Sequence, residues 1–212
     1  EGFECIIAGG SVFAQAKEVH IVEACLACIA DEDASIALYQ VLSSPLFNLS
    51  DSALFVVANF DASSDGLPRS ASFARRFWFL TRQLSRGGDV SVRDLFASAA
   101  LSSPDLGELM RCLELMSRCA AQAEKASVYK ALHDLITDAG WFYRLQEEGA
   151  EGMAVAANLF KALDIVSEWE HEQKDLLQIA TDFSAFLEVS KQSPGVLATS
   201  EGDFVQIMTI HA

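Results

Sequence analysis

Residues 204–212 read FVQIMTIHA, a short apolar run that follows an aspartate, and residues 3–8 read FECIIA between two glycines. Runs of this length and character are typical of strands in a parallel sheet. Most of the sequence between them has helical periodicity instead. We therefore predict a mainly α fold in which a helical domain is inserted between two strands, and we expect most of their sheet to lie outside these 212 residues.

The helical part is indicated by apolar side chains that recur every three or four residues, each set forming one buried stripe. The clearest sets are Val19, Val22, Leu26 and Ile29, then Phe73, Phe77, Leu80 and Leu84, then Leu176, Ile179, Phe183 and Phe186. Ser50, and Ser91 with Asp94 three residues later, are typical of helix starts, and Gly140 is typical of a helix end. Together these signals predict about eight helices.

The charge of the chain is strongly acidic but unevenly spread. A net charge of −15 argues against a protein that coats nucleic acid through bulk electrostatics, although it leaves local contacts open. Asp89 is the one acid between residues 69 and 93, a stretch that we call the cationic segment. Its six arginines are Arg69, Arg75, Arg76, Arg82, Arg86 and Arg93.

The apolar runs, the first residues and the cysteines indicate the kind of protein and its cellular compartment. No run approaches the roughly 18 apolar residues of a membrane span, and the first residues lack the pattern of a secretory signal. We expect a cytoplasmic protein with no membrane contact. Five cysteines form an odd set in such a chain, which favours free thiols over disulfides.

Three segments, in the same order along the chain, resemble motifs of the UvrD/RecB-type DNA helicases. The first is GFECIIAGGSVFAQAKEV (residues 2–19), where a strand leads into a Gly-Gly turn, Phe13, and then Glu18-Val19 at a helix start. The second is ALYQVLSSPLFNLSDSAL (residues 37–54), and the third is VQIMTIHA (residues 205–212), which resembles the start of helicase motif V. The Ser-Pro-Leu-Phe form is most similar to the AddA/RecB branch of the family.

The resemblance implies that residues 11–203 are domain 2B, a helical insertion into the second RecA-like domain, 2A. Residues 1–10 would then be a strand and the Gly-Gly turn of 2A, and residues 204–212 a strand of 2A and the start of motif V. The parent would be an ATP-dependent DNA helicase of repair and recombination, with an exonuclease V-like helicase–nuclease as one form. It would use ATP and Mg²⁺, and its partners would be DNA, the remaining helicase domains and, in a helicase–nuclease, a second subunit.

The chain itself contains no GxxxxGK[ST] phosphate loop. We therefore expect no ATP hydrolysis, no catalytic residue, and no cofactor or metal in this part of the helicase. Domain 2B would act as a regulatory or duplex-engaging arm.

Two residues near the end of the sequence are candidate contacts to DNA. In the family's motif V, a Thr and a His at a strand end lie along the single-strand track, which implies this role for Thr209 and His211. A hydroxyl and an imidazole N–H can donate to phosphate or sugar oxygens. The alternative is that His211 is an ordinary polar residue at the end of the chain.

The turn at residues 47–51 is a second candidate. UvrD-like relatives have a Gly-Ile-Gly-Asp turn here, whose backbone amides hold a duplex phosphate at a helix start. This chain has Asn48 and Ser50 in place of those glycines. Asparagine tolerates positive φ and serine can cap a helix, so the turn can persist while close phosphate approach is in doubt. Plain helix capping is the alternative.

The third candidate is the set Arg75, Arg82 and Arg86, which we call the arginine face. Spacings of seven and four put them on one side of a helix, roughly opposite the apolar stripe that begins at Phe73. Such a face could contact duplex phosphates or pair with acids of a neighbouring domain. The alternative is a solvated helix surface.

Other site chemistries have less support. Cys25 and Cys28 could share a helical face, but His20 lies on another, so buried free cysteines are favoured over a zinc site.

The rival to the helicase interpretation is an all-helical protein-interaction module without DNA binding, which the charge of −15 favours.

Overall fold

The structure is a computed structural model that describes residues 5–7, 10–61, 63, 66–95, 101–192 and 205–207. It is mainly helical, as the periodicity predicts. Within these residues there are ten helices: α1 (Gly10–Gln15), α2 (Lys17–Ala30), α3 (Ser35–Ser43), α4 (Asp51–Asn59), α5 (Phe73–Leu95), α6 (Ser103–Lys125), α7 (Val128–Asp138), α8 (Trp141–Glu147), α9 (Ala150–His171) and α10 (Leu176–Gln192). The count exceeds the expected eight partly because the extended backbone of Ala16 (φ −66°, ψ 130°) separates α1 from α2.

Two three-residue strands are the first and last elements along the described sequence. They are β1 (Cys5–Ile7) and β2 (Val205–Ile207), and they pair in parallel, with Cys5 opposite Val205 and Ile7 opposite Ile207. The two strands therefore lie side by side and run in the same direction, and the ten described helices lie between them in the sequence.

The predicted apolar stripes lie in the core. Val19, Leu26, Phe77, Leu80 and Phe183 are all fully buried. The outer members of each stripe, such as Ile29 and Phe186, are partly buried and pack against the same core. Helix α2 packs against α3, α9 and α10, α6 packs between α5 and α7, and α7 also contacts α9, so a single apolar cluster runs through the body.

The local signals for helix ends are mostly confirmed. Ser50 caps α4 by accepting a hydrogen bond from the Ala53 amide at 3.2 Å. Gly140 separates α7 from α8 with a φ of 75°, a conformation that glycine adopts without strain. The predicted start at Ser91 is wrong, because α5 continues through it to Leu95. Gly87 and Gly88 precede that position, but a glycine weakens a helix by only about 1 kcal/mol and does not by itself end one.

Four cysteines lie inside the core. Cys25 and Cys28 on α2 and Cys112 and Cys119 on α6 are buried and free. Burial raises the pKa of each of these thiols, that of Cys119 to about 12. Over the described residues, no group of three His, Cys, Asp or Glu side chains is arranged to hold a metal ion.

In the part of the chain that the structure describes, no helix has both the length and the apolar character needed to cross a bilayer.

Candidate nucleic-acid interface

The arginine face lies on α5, and two of its three side chains are bound by acids of the same chain. Arg75 makes a two-pronged contact with Asp33: Nε donates to Oδ1, and Nη2 donates to Oδ2 at 2.6 Å. The Nη1 of Arg82 donates to Oε1 of Glu32 at 2.6 Å. Arg86 is exposed, and within the described residues it has no ion pair. The chain therefore supplies its own partners for two of the three predicted phosphate contacts.

The Arg75–Asp33 contact shifts the pKa of both partners. The hydrogen bond from Arg75 holds the pKa of Asp33 below its ordinary value, and the charge of Arg75 adds to the effect. Reciprocally, the Asp33 carboxylate raises the pKa of Arg75. Both groups are solvent-exposed, so the pair is an ionic contact that other anions in solution can reach.

Other arginines of the cationic segment are also engaged. The Nε of Arg69 lies 3.5 Å from Asp61. Arg76 donates to three backbone oxygens of the loop before α5, those of Phe60, Arg69 and Ala71. Arg76 is therefore a structural residue that closes the loop between α4 and α5. The cationic segment is less available to an external anion than its sequence indicates.

The second candidate, the turn before α4, has the backbone geometry expected of it. Asn48 adopts a φ of 51°, in the left-handed region that asparagine tolerates. Its amide donates to the Ser44 carbonyl at 2.7 Å, and the Leu49 amide donates to the Leu42 carbonyl at 3.0 Å. Ser50 uses its hydroxyl as the helix cap. The amides that a phosphate could approach are therefore those of the first turn of α4, at Asp51 and Ser52.

Two carboxylates reduce the attraction of this turn for an anion. Asp51 is exposed at the first position of α4. Asp105, near the start of α6, is close enough that the hydroxyls of Ser102 and Ser50 hold its pKa below the ordinary value. A phosphate at the turn would face both negative charges, and this favours the helix-capping alternative for Ser50.

An arginine outside the predicted set holds the turn in place. Arg144 on α8 donates from Nη2 to the carbonyl oxygens of Pro45 at 2.7 Å and Leu46 at 3.1 Å, and from Nη1 to that of Ala139 at 2.9 Å. It therefore joins the Ser-Pro-Leu-Phe stretch to a helix that lies about a hundred residues later in the chain. Its position in the sequence, just after Trp141, gives no signal of this contact.

Residues of the first motif contact α9. The Nδ2 of Asn158 donates to Oε1 of Glu18 at 2.6 Å. The ammonium of Lys161 lies 4.5 Å from the centre of the Phe13 ring. Phe13 is itself buried. These contacts fix the start of the helical body against α9, a role of Asn158 and Lys161 that no local sequence pattern predicts.

The first candidate pair, Thr209 and His211, lies outside the described residues, which end at Ile207. Their predicted role remains a prediction.

Comparison with known proteins adds no family assignment. No protein-family model matches the chain, and no curated protein is similar enough to be counted as a relative.

Proposed function

We propose that this chain is the helical 2B-type domain, with flanking strands of domain 2A, of an ATP-dependent DNA helicase of the UvrD/RecB/AddA type. The single observation that carries the proposal is the parallel pairing of β1 with β2, with only helices among the described elements that lie between them in the sequence. Parallel strands need a crossover connection between them, and such sheets belong mostly to α/β domains with several strands. A helical insertion between two strands of a RecA-like sheet has this topology.

The three motifs are the basis for proposing this helicase family for a chain with that topology. Phe13 and Glu18 of the first motif both contact α9, which supports the proposal that this segment begins the inserted helical domain. The second motif forms a turn with a positive φ at Asn48 and a capped helix after it. ATP and Mg²⁺ would be bound by other domains of the parent helicase.

The contribution of this domain to the parent is that of a regulatory arm that contacts duplex DNA weakly. Its contact surface is the arginine face of α5, with the turn at Asn48 and Ser50 as a lesser contributor. Thr209 and His211 belong to the single-strand track of the parent in this proposal. The parent would act in repair and recombination, with a helicase–nuclease as one form.

Binding of this chain to a labelled DNA fork, measured by fluorescence anisotropy over a range of salt concentrations, tests the proposal. We expect weak binding at low salt that is lost steeply as salt increases, because released counterions drive the association. The triple variant R75E/R82E/R86E should bind more weakly and with a shallower salt dependence. Each lost phosphate contact should reduce the slope of log K against log salt by about 0.9.

A matched control separates the arginine face from net charge. The variant R111E/K125E/K130E makes the same charge change on α6 and α7, and it should lower the affinity less than the triple variant of α5 does. Equal losses in both variants would show that no particular face is used. Absence of binding by the wild-type chain even at low salt would remove the DNA-contacting role. The family proposal has its own test: the codons after Ala212 should encode Lys-Gly-Leu-Glu within a few positions.

The second candidate is a protein-interaction module that does not bind DNA. It is favoured by the pairing of Arg75 and Arg82 with Asp33 and Glu32, which occupies much of the positive surface. The net charge of −15 favours it as well. Failure of the wild-type chain to bind the fork at low salt, with its fold intact, would support this candidate over the first.

A further inference from the structure

The acids that pair with the arginine face lie together in one short loop. Residues 31–34, which we call the acidic loop, connect α2 to α3 and begin with Asp31, Glu32 and Asp33. The carboxylate of Asp31 accepts the amide of Asp33 at 2.9 Å, and the Asp31 carbonyl accepts the amide of Ala34 at 3.1 Å. The loop is therefore ordered by its own hydrogen bonds, with Glu32 and Asp33 directed at α5.

The loop is also attached to α5 by contacts that carry no charge. The Oγ of Ser35, the first residue of α3, accepts the amide of Ala74 at 3.2 Å. Tyr39 on α3 packs edge-on against Phe73, with ring centres 6.3 Å apart. Replacing the two carboxylates by amides would thus leave α3 in place on α5 while removing the ionic contacts.

We propose that Glu32 and Asp33 form an electrostatic screen over the arginine face, and that DNA phosphates must displace them to reach Arg75 and Arg82. This inference rests on the proposed DNA contact of α5 and adds to it a built-in competitor. In the free protein Arg86 is the member of the face that has no ion pair within the described residues. Engagement of the whole face requires exchange of two carboxylates for two phosphates.

The strength of the two pairs suits a screen that can be displaced. Side chains in both pairs are about half exposed, from 44% for Arg82 to 57% for Glu32. Exposed ion pairs of this kind change an equilibrium constant by a factor of about five or less. A polyanion that presents several phosphates at once can therefore compete with them, whereas a single anion at ordinary concentration competes poorly.

The variant E32Q/D33N removes the screen and keeps the loop. In fork-DNA titrations at low salt it should bind roughly tenfold more tightly than the wild-type chain. The slope of log K against log salt should steepen by the equivalent of up to two phosphate contacts. In the wild-type chain Arg75 and Arg82 exchange a carboxylate for a phosphate, whereas in the variant they bind phosphate without giving up a carboxylate. Adding R75Q/R82Q to this variant should abolish the gain. The single variant E32Q, which alters one exposed pair only, should give a gain of about threefold.

The matched control is D134N/D138N. It makes the same change in net charge and also releases two basic side chains, Lys130 and Arg118, but these lie on α7 and α6. Its affinity should stay within about twofold of wild type. Circular dichroism and urea unfolding establish that each variant is folded.

The outcomes separate the screen from the function on which it rests. If the wild-type chain binds the fork through the arginine face but E32Q/D33N binds no more tightly, the screen is overturned and the DNA contact stands. An equal gain in D134N/D138N would assign the effect to net charge and would likewise overturn the screen. If no variant binds, both the screen and the DNA contact are overturned.

Discussion

At the scale of single residues, two glycines in helices have opposite surroundings. Gly152, in the first turn of α9, is buried against α8, and a Cβ added there would overlap the backbone carbonyl of Leu145. Backbone cannot move aside as a side chain can, so G152A should destabilise the protein by about 2 kcal/mol. This loss exceeds the gain of up to about 1 kcal/mol that alanine normally brings to a helix. Urea unfolding measures the difference.

Gly107 on α6 is the matched control. It is exposed, and a Cβ at this position would meet no atom within 4 Å. G107A should therefore stabilise the protein by about 0.5 to 1 kcal/mol, because alanine restricts the unfolded chain and favours the helix. If G152A raises the unfolding midpoint as G107A does, the close approach of α8 to α9 at Gly152 is wrong.

The same scale shows which residue roles can be predicted from sequence. The cap at Ser50 and the positive φ at Asn48 follow from local chemistry, and both are present. The partners of Arg75 and Arg144 could not be predicted. With 30 acids and 15 lysines and arginines in the chain, nothing local selects Asp33 as the partner of an arginine 42 residues away. Long-range pairing is decided by packing, which the sequence pattern does not specify.

At the scale of helices, one helix caps another. The carboxylate of Glu170, near the end of α9, accepts the Ser127 hydroxyl at 2.9 Å and the Val128 and Tyr129 amides at 2.7 and 3.4 Å. It thus adds negative charge at the positive end of α7 and satisfies amides that have no partner within that helix. We expect E170A to cost about 1 to 2 kcal/mol in urea unfolding.

Two further variants test this cap. E170Q retains an acceptor oxygen and loses the charge, so its stability should lie between those of wild type and E170A. Glu168 is exposed on the same helix, and E168A should change the stability by less than about 0.5 kcal/mol. Amide hydrogen exchange at Val128 and Tyr129 should accelerate in E170A alone. Unchanged exchange there would contradict the cap.

Helix positions were predictable to the extent that their signals are local. The apolar stripes of α2, α5 and α10 follow from spacing alone, and their central residues are buried. The start at Ser91 is wrong because the capping-box pattern of Ser91 and Asp94 lies inside α5, where the helix continues to Leu95. The break at Ala16 has no local signal, since alanine favours helix, yet the backbone of Ala16 is extended.

At the scale of the whole molecule, one core unites helices from α1 to α10. Composition and periodicity predict the mainly helical fold class, but they do not predict which helices pack against each other. Cys25 and Cys28 illustrate the difference. The i, i+3 spacing alone left open a shared face for metal binding, whereas the structure buries both among apolar side chains, with Cys112 and Cys119 contributing from α6.

The four buried thiols predict a steep loss of stability in alkali. Their pKa values are raised in the folded protein, mainly by burial, while those of the unfolded chain lie near 8.5. Below pH 8 both states keep the thiols protonated, so these groups make stability independent of pH there. Above about pH 8.5 the unfolded state releases protons that the folded state retains, and each thiol lowers the free energy of unfolding by about 1.4 kcal/mol per pH unit.

Urea unfolding of wild type and C112A between pH 7 and 10 measures this linkage. C112A should be less stable at every pH, because it leaves a cavity in the core. Its stability should nevertheless fall less steeply above pH 8.5, by the contribution of one thiol, so the two curves should converge as the pH rises. The slope separates ionisation from packing, since a cavity shifts the curve without tilting it. Parallel curves would mean that the Cys112 thiol ionises as readily in the folded protein as in the unfolded chain, and that this part of the core is open to water.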